Sequence, residues 1–356
     1  MGSQAKIGVL TFHRCINYGS YWQARALVEG LRGLGHEAEL LDHDCAHVNI
    51  AEWRCALEPT LPERTPRNLL PRYKAKARNF FQAFARLPTS RPFPLMNPDR
   101  ASRYATIIVG SDEVWNFSHP WYGGVPIFFG EGLKADRLVA YAASFGNHDA
   151  THGISDDWSG RLRRFSALSV RDCNSGALLR QALGQEPALV LDPCLQFPAA
   201  SQVQVERDQP AYALIYGHGF PAWLMRRARQ WSRSNHIRLV SVGYANEWAD
   251  EQRIEAGPEE FARLMAGAKA VITNFFHGCI FSLRWEKPFV AAVSSYRFNK
   301  IRDLVRQLGL DRRLVDAEPS GTSLDALLEE PPGEPARQRV AEYRHRSQAF
   351  LSAALA

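Results

Sequence analysis

The sequence contains no pair of cysteines in CxxC spacing; its six cysteines stand at 15, 45, 55, 173, 194 and 279 without a regular interval. That pattern suits reduced thiols in a cytoplasmic protein rather than a disulfide framework. No uncharged apolar run reaches about 18 residues, so no segment reads as a membrane span. The opening Met-Gly-Ser-Gln-Ala-Lys lacks a basic stretch followed by a long apolar one, and Lys6 stands where the myristoylation pattern wants Ser or Thr. No leader or lipid anchor is therefore expected. A full dinucleotide fingerprint is missing: Gly217-His218-Gly219 is only a glycine-flanked turn, and no bound dinucleotide is expected. Asp42-His43-Asp44-Cys45-Ala46-His47 offers metal-ligand residue types, but not in a recognised zinc spacing and with no second pair, so no metal is expected.

What is present is a globular composition: 46% hydrophobic, 22% charged and 11% aromatic residues in 356, enough for two cores. The net charge of +6 is unevenly spread. Between Thr60 and Tyr104 ten Lys or Arg (64, 67, 72, 74, 76, 78, 86, 91, 100, 103) face two acids (63, 99), a local balance of +8. Such a stretch is either a surface for an anionic membrane or a phosphorylated substrate, or the solvated face of an inserted helix. It carries no interleaved aromatic platform or binding motif for nucleic acid, and none is expected as a partner.

Apolar β-branched runs alternate with helical spacing along most of the chain. Strands are expected at 6–11, 37–41, 106–109, 138–142, 167–170 and 188–191, and again at 212–216, 238–242, 270–273 and 289–293. Helical patterns fall at 19–34, 68–87, 156–165, 175–183, 221–234, 258–265, 277–286, 299–308 and 336–355. The polar segment 197–209, closed by Pro210, reads as a linker. This predicts an α/β protein of two Rossmann-like domains in tandem, GT-B-like, with the active cleft between them. The first would span 1–197 with the basic insertion 60–104, on the acceptor side. The second would span 210–334, on the donor phosphate side, and a helix at 335–356 would cross back to the first.

Residues ill suited to packing gather where strands end, the edge at which open α/β sheets bind ligands. After 106–109 come Gly110-Ser111-Asp112; after 167–170, Arg171-Asp172; after 212–216, Gly217-His218; after 270–273, Asn274 and then His277-Gly278; after 289–293, Arg297 and Lys300. A helix N-terminus has unpaired amides and a positive dipole end, so Gly278 could let an anion approach the backbone while His277 supplies a proton. Alternatively His277 caps its helix or bonds within an interface. Arg171 is either a bidentate anion clamp or an ion pair closing its turn. Asp112 is either a base that takes a hydroxyl proton or an N-cap.

Six blocks occur in a fixed order: "IGVLTFHRCINYGSYWQARAL" at 7–27, "IIVGSDEVWN" at 107–116, "AYAASFG" at 140–146, "LSVRD" at 168–172, "LVLDPCL" at 189–195 and "VITNFFHGCIFSLRWEKPFV" at 271–290. Together they resemble the polysaccharide pyruvyl transferase family over about 300 residues. The resemblance implies a GT-B-like fold and transfer of the pyruvyl group of phosphoenolpyruvate to sugar hydroxyls of a surface polysaccharide or its lipid-linked precursor, with no metal or organic cofactor. It places the family's cleft arginine on Arg171 and its catalytic histidine on His277. Asp112 joins them as a catalytic candidate. Arg171, Gly278, Asn274, Arg297, Lys300 and His218 are expected around the donor phosphate, and Asn17, Tyr18, Gly19, Ser111, Asp112 and Trp115 around the acceptor. The chain departs from the family at Phe275, where a small hydroxyl residue is usual, and at Ser20 and Trp22, which stand for the usual Ala and Leu. A nucleotide-sugar glycosyltransferase on the same fold, and a non-catalytic protein docking on polymer-assembly machinery, are the rival expectations. The expected location is cytoplasmic, with a peripheral contact to the inner face of the membrane through 60–104.

Overall fold

The computed structural model describes residues 6–205, 210–293, 298–318 and 323–356. The chain divides into two compact units: residues up to Glu52 with Arg86–Ser201 and Val340–Ala356, and Trp53–Ala85 with Gln202–Arg339.

The first unit opens with β1 (Ile7–Leu10), wholly buried, then α1 (Tyr18–Gly33) and β2 (Ala38–Leu40). Asn17 caps α1, its side-chain oxygen accepting from the amides of Gly19 and Ser20. A short strand β3 (His43–Asp44) leads into α2 (Ala46–Leu57), which runs across the boundary at Glu52, and α3 (Leu70–Phe84) belongs to the second unit. The chain returns through β4 (Phe93–Pro94), which pairs with β3, then β5 (Tyr104–Val109), β6 (Ala135–Ala143), α4 (Asp156–Leu162), β7 (Ala167–Val170), α5 (Cys173–Leu183), β8 (Ala188–Leu189) and α6 (Pro193–Gln196). The main sheet is parallel in the order β2-β1-β5-β6-β7-β8, with Ile7 opposite both Ala38 and Thr106. Its apolar strands are covered by helices, with Leu10, Ile107, Val109, Trp115, Phe128, Phe129 and Phe145 in one core.

The second unit repeats the plan: β9 (Tyr212–Tyr216), α7 (Ala222–Ser234), β10 (Arg238–Val242), β11 (Glu251–Arg253), α8 (Pro258–Gly267), β12 (Ala270–Thr273), α9 (Phe276–Arg284), β13 (Phe289–Ala292), α10 (Phe298–Gln307), β14 (Leu314–Val315) and α11 (Ser323–Glu329). Its parallel sheet has the order β11-β10-β9-β12-β13-β14. Ala213, Ile215, Leu224, Trp231, Ile272 and Val290 form a separate core. Helix α12 (Glu334–Leu355) closes the chain.

In both sheets the connections run one way from the first strand and then the other way, so strand order reverses between β1 and β5 and between β9 and β12. Crevices at such reversals are where open α/β sheets take ligands.

The basic stretch 60–104, expected as one insertion in the first domain, is divided between the units. Helix α3 is tied into the second by Arg72 on Glu255 and the Gln252 carbonyl, by Lys76 on the Gly243 carbonyl at 2.9 Å, and by Asn79 on the Glu255 carbonyl at 2.7 Å. The 197–209 stretch also differs from a plain linker where it is described. The Phe197 ring packs so tightly on α1 that a Cβ at Gly30 would fall 2.2 Å from it.

Candidate active site

At the β1/β5 reversal of the first unit, side chains bridge the two strand ends. The Thr11 hydroxyl donates to the Ser111 carbonyl at 2.9 Å, and Ser20 Oγ donates to Asp112 Oδ2 at 2.7 Å. Asp112 has φ 74° and neighbouring Ala142 has φ 51°, left-handed backbone that a non-glycine residue adopts at a cost. Strained backbone of this kind clusters at functional sites. Asp112 Oδ1 accepts from Arg171 Nη2 at 3.0 Å, while Arg171 Nη1 donates to Asp192 Oδ2 at 2.7 Å.

This arrangement changes the expected role of Arg171. Its side chain is 1% exposed and carries a carboxylate on either side, so it does not offer an open fork to a phosphate. Burial disfavours its charge, but Asp112 and Asp192 hold the guanidinium above its ordinary range, so it remains a cation. It fixes Asp112 from behind. Of the expected acceptor residues, Trp115 belongs to the core: it is 0% exposed, packs on Phe145 and Phe129, and donates its indole N–H to the Phe128 carbonyl at 2.8 Å. Tyr18 is buried as well, and the Gly19 amide is taken by the Asn17 cap at 2.8 Å, so this trio builds the start of α1, with Asn17 its exposed member. Ser111 Oγ donates inward to the Ala142 carbonyl at 3.2 Å. Asp112 therefore carries most of the acceptor-side expectation.

Beside it lies a polar group that sequence patterns left unassigned to the site. Asp42, just beyond β2, accepts from His13 Nε2 at 2.9 Å and from Arg14 Nε and Nη2 at 2.7 Å each. Burial opposes the Asp42 charge, but the hydrogen bonds from His13 and Arg14 hold its carboxyl down at about 2. His43, completely buried, is pushed down to about 3 by that burial and bonds the Thr11 carbonyl at 2.9 Å. Asp42 and His43, metal-ligand residue types in the sequence, are both hydrogen-bonded within this floor. Glu52 is buried and bonded to the Ile16 amide and the Trp121 indole at 3.1 and 2.9 Å; its burial raises its pKa. Only a carboxylate on the apolar side of α2 hinted at it.

In the second unit, the loops after β9 and β12 meet. Asn274 Nδ2 donates to the His218 carbonyl at 2.7 Å, and Thr273 Oγ1 donates to the Tyr216 carbonyl at 2.7 Å. Gly217 has φ +148°, and a Cβ there would lie 2.1 Å from Asn274 Oδ1, so the loop requires glycine. Asn274 shapes this turn. His277 occupies the first turn of α9, 8% exposed, its ring edge-on to Phe276 at 5.2 Å. It therefore sits at the positive end of a helix beyond the carboxyl edge.

Gly278 plays a different part from the one expected. Its amide donates to the Phe275 carbonyl at 3.0 Å, and a Cβ there would fall 2.0 Å from Thr273 Oγ1. The glycine lets α9 seat on the end of β12; it is not an open anion-binding amide. Phe275 fills an aromatic group with Tyr216, Tyr244 and His218 at centroid distances of 4.8, 5.1 and 5.7 Å. Lys300 is buried in α10, and Arg297 lies outside the described residues. The residue missed here is Lys76 of α3. Its ammonium lies 4.5 Å over the Tyr244 ring, and burial pulls it down to about 7. The available signal was a lysine on the apolar stripe of its helix, beside Tyr73, Ala77 and Phe80.

With this geometry in view, comparison with known proteins is informative. A UDP-N-acetylglucosamine 2-epimerase superposes with a TM-score of 0.53 and 10% identity over 99% of this chain and 95% of its own. The S. aureus MnaA–UDP co-structure gives 0.51 and 10% over 98% of each chain. E. coli heptosyltransferase WaaC with ADP gives 0.44 and 14% over 95% and 99%. At such identities the first two speak for the fold alone, a GT-B-like pair of Rossmann-like units. No curated protein sequence matches the chain significantly. The model of the polysaccharide pyruvyl transferase family matches residues 17–296, the greater part of the chain, from the N-cap of α1 through β13. The chain belongs to the polysaccharide pyruvyl transferase family.

Proposed function

We propose that the protein transfers the pyruvyl group of phosphoenolpyruvate to two hydroxyls of one sugar in a surface polysaccharide or its lipid-linked precursor, forming a cyclic ketal. The observation that carries this reading is the placement of His277, the residue on which the resemblance puts the catalytic histidine, in the first turn of the helix that follows β12. In the proposed reaction His277 protonates C3 of the enol ester, turning its methylene into a methyl and building positive charge at C2. One sugar hydroxyl adds to C2, the C2–O bond to phosphate breaks, and a second hydroxyl of the same sugar adds in turn. Of the two hydroxyl protons released, one restores His277 and the other leaves with phosphate. Asp112, held by Ser20 and Arg171, is the group we assign to receive hydroxyl protons. Arg171 is a positioning residue in this scheme.

The test is phosphate release from phosphoenolpyruvate over a panel of saccharide acceptors, with nucleotide sugars as competing donors. General acid catalysis contributes about 10²–10⁴-fold, so His277→Ala should lose at least about 10²-fold in kcat while still binding phosphoenolpyruvate. Turnover with a nucleotide sugar and none with phosphoenolpyruvate would refute the donor, and near-normal turnover by the variant would refute the role of His277.

A further inference from the structure

Helix α3 has two unlike faces. Tyr73, Lys76, Ala77, Phe80 and Ala83 are buried within the second unit. Lys74, Arg78, Phe81 and Ala85 follow one another at helical spacing on the other side, and all are exposed. Phe81 is 45% exposed and stacks on Trp53 of α2, itself 40% exposed, at 6.0 Å and 29° between ring planes. Two large aromatic side chains thus share an open surface flanked by Lys74 and Arg78.

The charges around this pair are one-sided. Residues 53–85 hold seven Lys or Arg against Glu58 and Glu63. Arg72 and Lys76 turn inward onto Glu255 and the Gly243 carbonyl. Arg54, Arg64, Arg67, Lys74 and Arg78 remain exposed, and among the described residues none of the five forms an ion pair. An apolar patch flanked by cations would repel a second copy of itself, since like charges would meet at the contact. It suits a surface that is densely negative outside and apolar just beneath.

We propose that this face, Trp53 and Phe81 with Lys74 and Arg78, docks on the headgroup layer of an anionic membrane. The cations sit among the acidic headgroups while the stacked rings enter the interface at the depth amphipathic aromatics favour. The inward turn of Arg72 and Lys76 narrows the contact from the whole basic stretch to this one helix face. The proposal stands apart from the transfer reaction, since a membrane-held protein needs no particular donor.

Co-sedimentation of the full chain with vesicles tests it directly. Binding is expected to mixed phosphatidylglycerol–phosphatidylcholine vesicles and not to phosphatidylcholine alone, and it should weaken as salt rises. Each cation near an acidic surface is worth about fivefold in partitioning, so Lys74→Glu with Arg78→Glu should weaken binding by at least about 30-fold. Phe81→Ser with Trp53→Ser should weaken it by about tenfold, because the apolar term is lost. Arg306→Glu, at an exposed position elsewhere in the second unit, should bind like the unaltered chain. All these positions are exposed, and circular dichroism melts check that the variants fold. Failure of the unaltered chain to bind the mixed vesicles, or equal binding by the Lys74–Arg78 variant, overturns the proposal. A dimer in light scattering that Phe81→Ser converts to monomer would assign the face to a second copy instead. None of these readouts involves turnover, so they leave the proposed reaction to its own assay.

Discussion

Arg171 illustrates how one buried charge can hold two carboxylates in place. Asp112 and Asp192 lie on either side of its guanidinium, and all three side chains are nearly removed from solvent. A buried pair contributes little net stability, but removing one partner strands the others. Arg171→Met should therefore cost about 3–5 kcal/mol, read as a fall in the urea midpoint at constant slope. A loss below about 1 kcal/mol would mean that water reaches the two carboxylates in the folded state. The Arg-Asp pair at 171–172 showed a strand end and a charge in need of a partner, and that much was legible. Which partner it took was not, because Asp192 and Asp112 come from other strands and spacing along the chain says nothing about them. Trp115 was opaque for the same reason: an indole beside a polar turn can face solvent or core, and only the Phe145 and Phe129 rings decide it.

At the level of elements, the alternation of apolar runs with helical spacing predicts three strands of the second unit to the residue, while β6 and α4 differ by up to three residues at an end and α2, β11, β14 and α11 are not predicted. Strands 212–216, 238–242 and 270–273 were expected where Tyr212–Tyr216, Arg238–Val242 and Ala270–Thr273 stand. Buried parallel strands are written as short β-branched runs, and such runs are hard to hide. The β12-to-α9 junction shows the limit. The glycine beside His277 suggested ligand access, yet the contact it makes room for is Thr273 Oγ1, 2.0 Å from where a Cβ would lie. A short polar side chain five positions upstream is not a packing signal that a pattern search finds. Gly278→Ala should destabilise the second unit by about 1–3 kcal/mol through overpacking, and it should lower kcat by displacing the first turn that carries His277. Adding Thr273→Ala removes the obstructing hydroxyl and should recover part of the lost kcat, although the bond to the Tyr216 carbonyl goes with it. If the alanine variant alone is as stable and active as the parent, the close seating of α9 is not what requires glycine.

At the scale of the whole molecule, the order of segments in the chain is not the order of the compact units. Residues 53–85 belong with the second unit and 340–356 with the first. Composition cannot report this, since a basic amphipathic helix looks the same whichever core it covers. The C-terminal segment has defined anchors in the first unit. Arg344 donates to the Leu195 carbonyl at 2.9 Å, Ser347 Oγ accepts from the Leu191 amide at 2.9 Å, and Leu351 is fully buried. Leu191 and Leu195 flank Asp192, the carboxylate paired with Arg171. Deleting 340–356 would expose an apolar face and exchange these hydrogen bonds for bonds to water, at about 0.5–1.5 kcal/mol for each bond and about 2 kcal/mol for the leucine. The first unit should then lose on the order of 5 kcal/mol, while the second, built on its own core, should keep its transition. Calorimetry with limited proteolysis distinguishes the two: early cleavage within 86–201 and an unshifted transition for 202–339 are expected. Unchanged melting of both would show that the segment contributes no stability to the corner that holds Asp192.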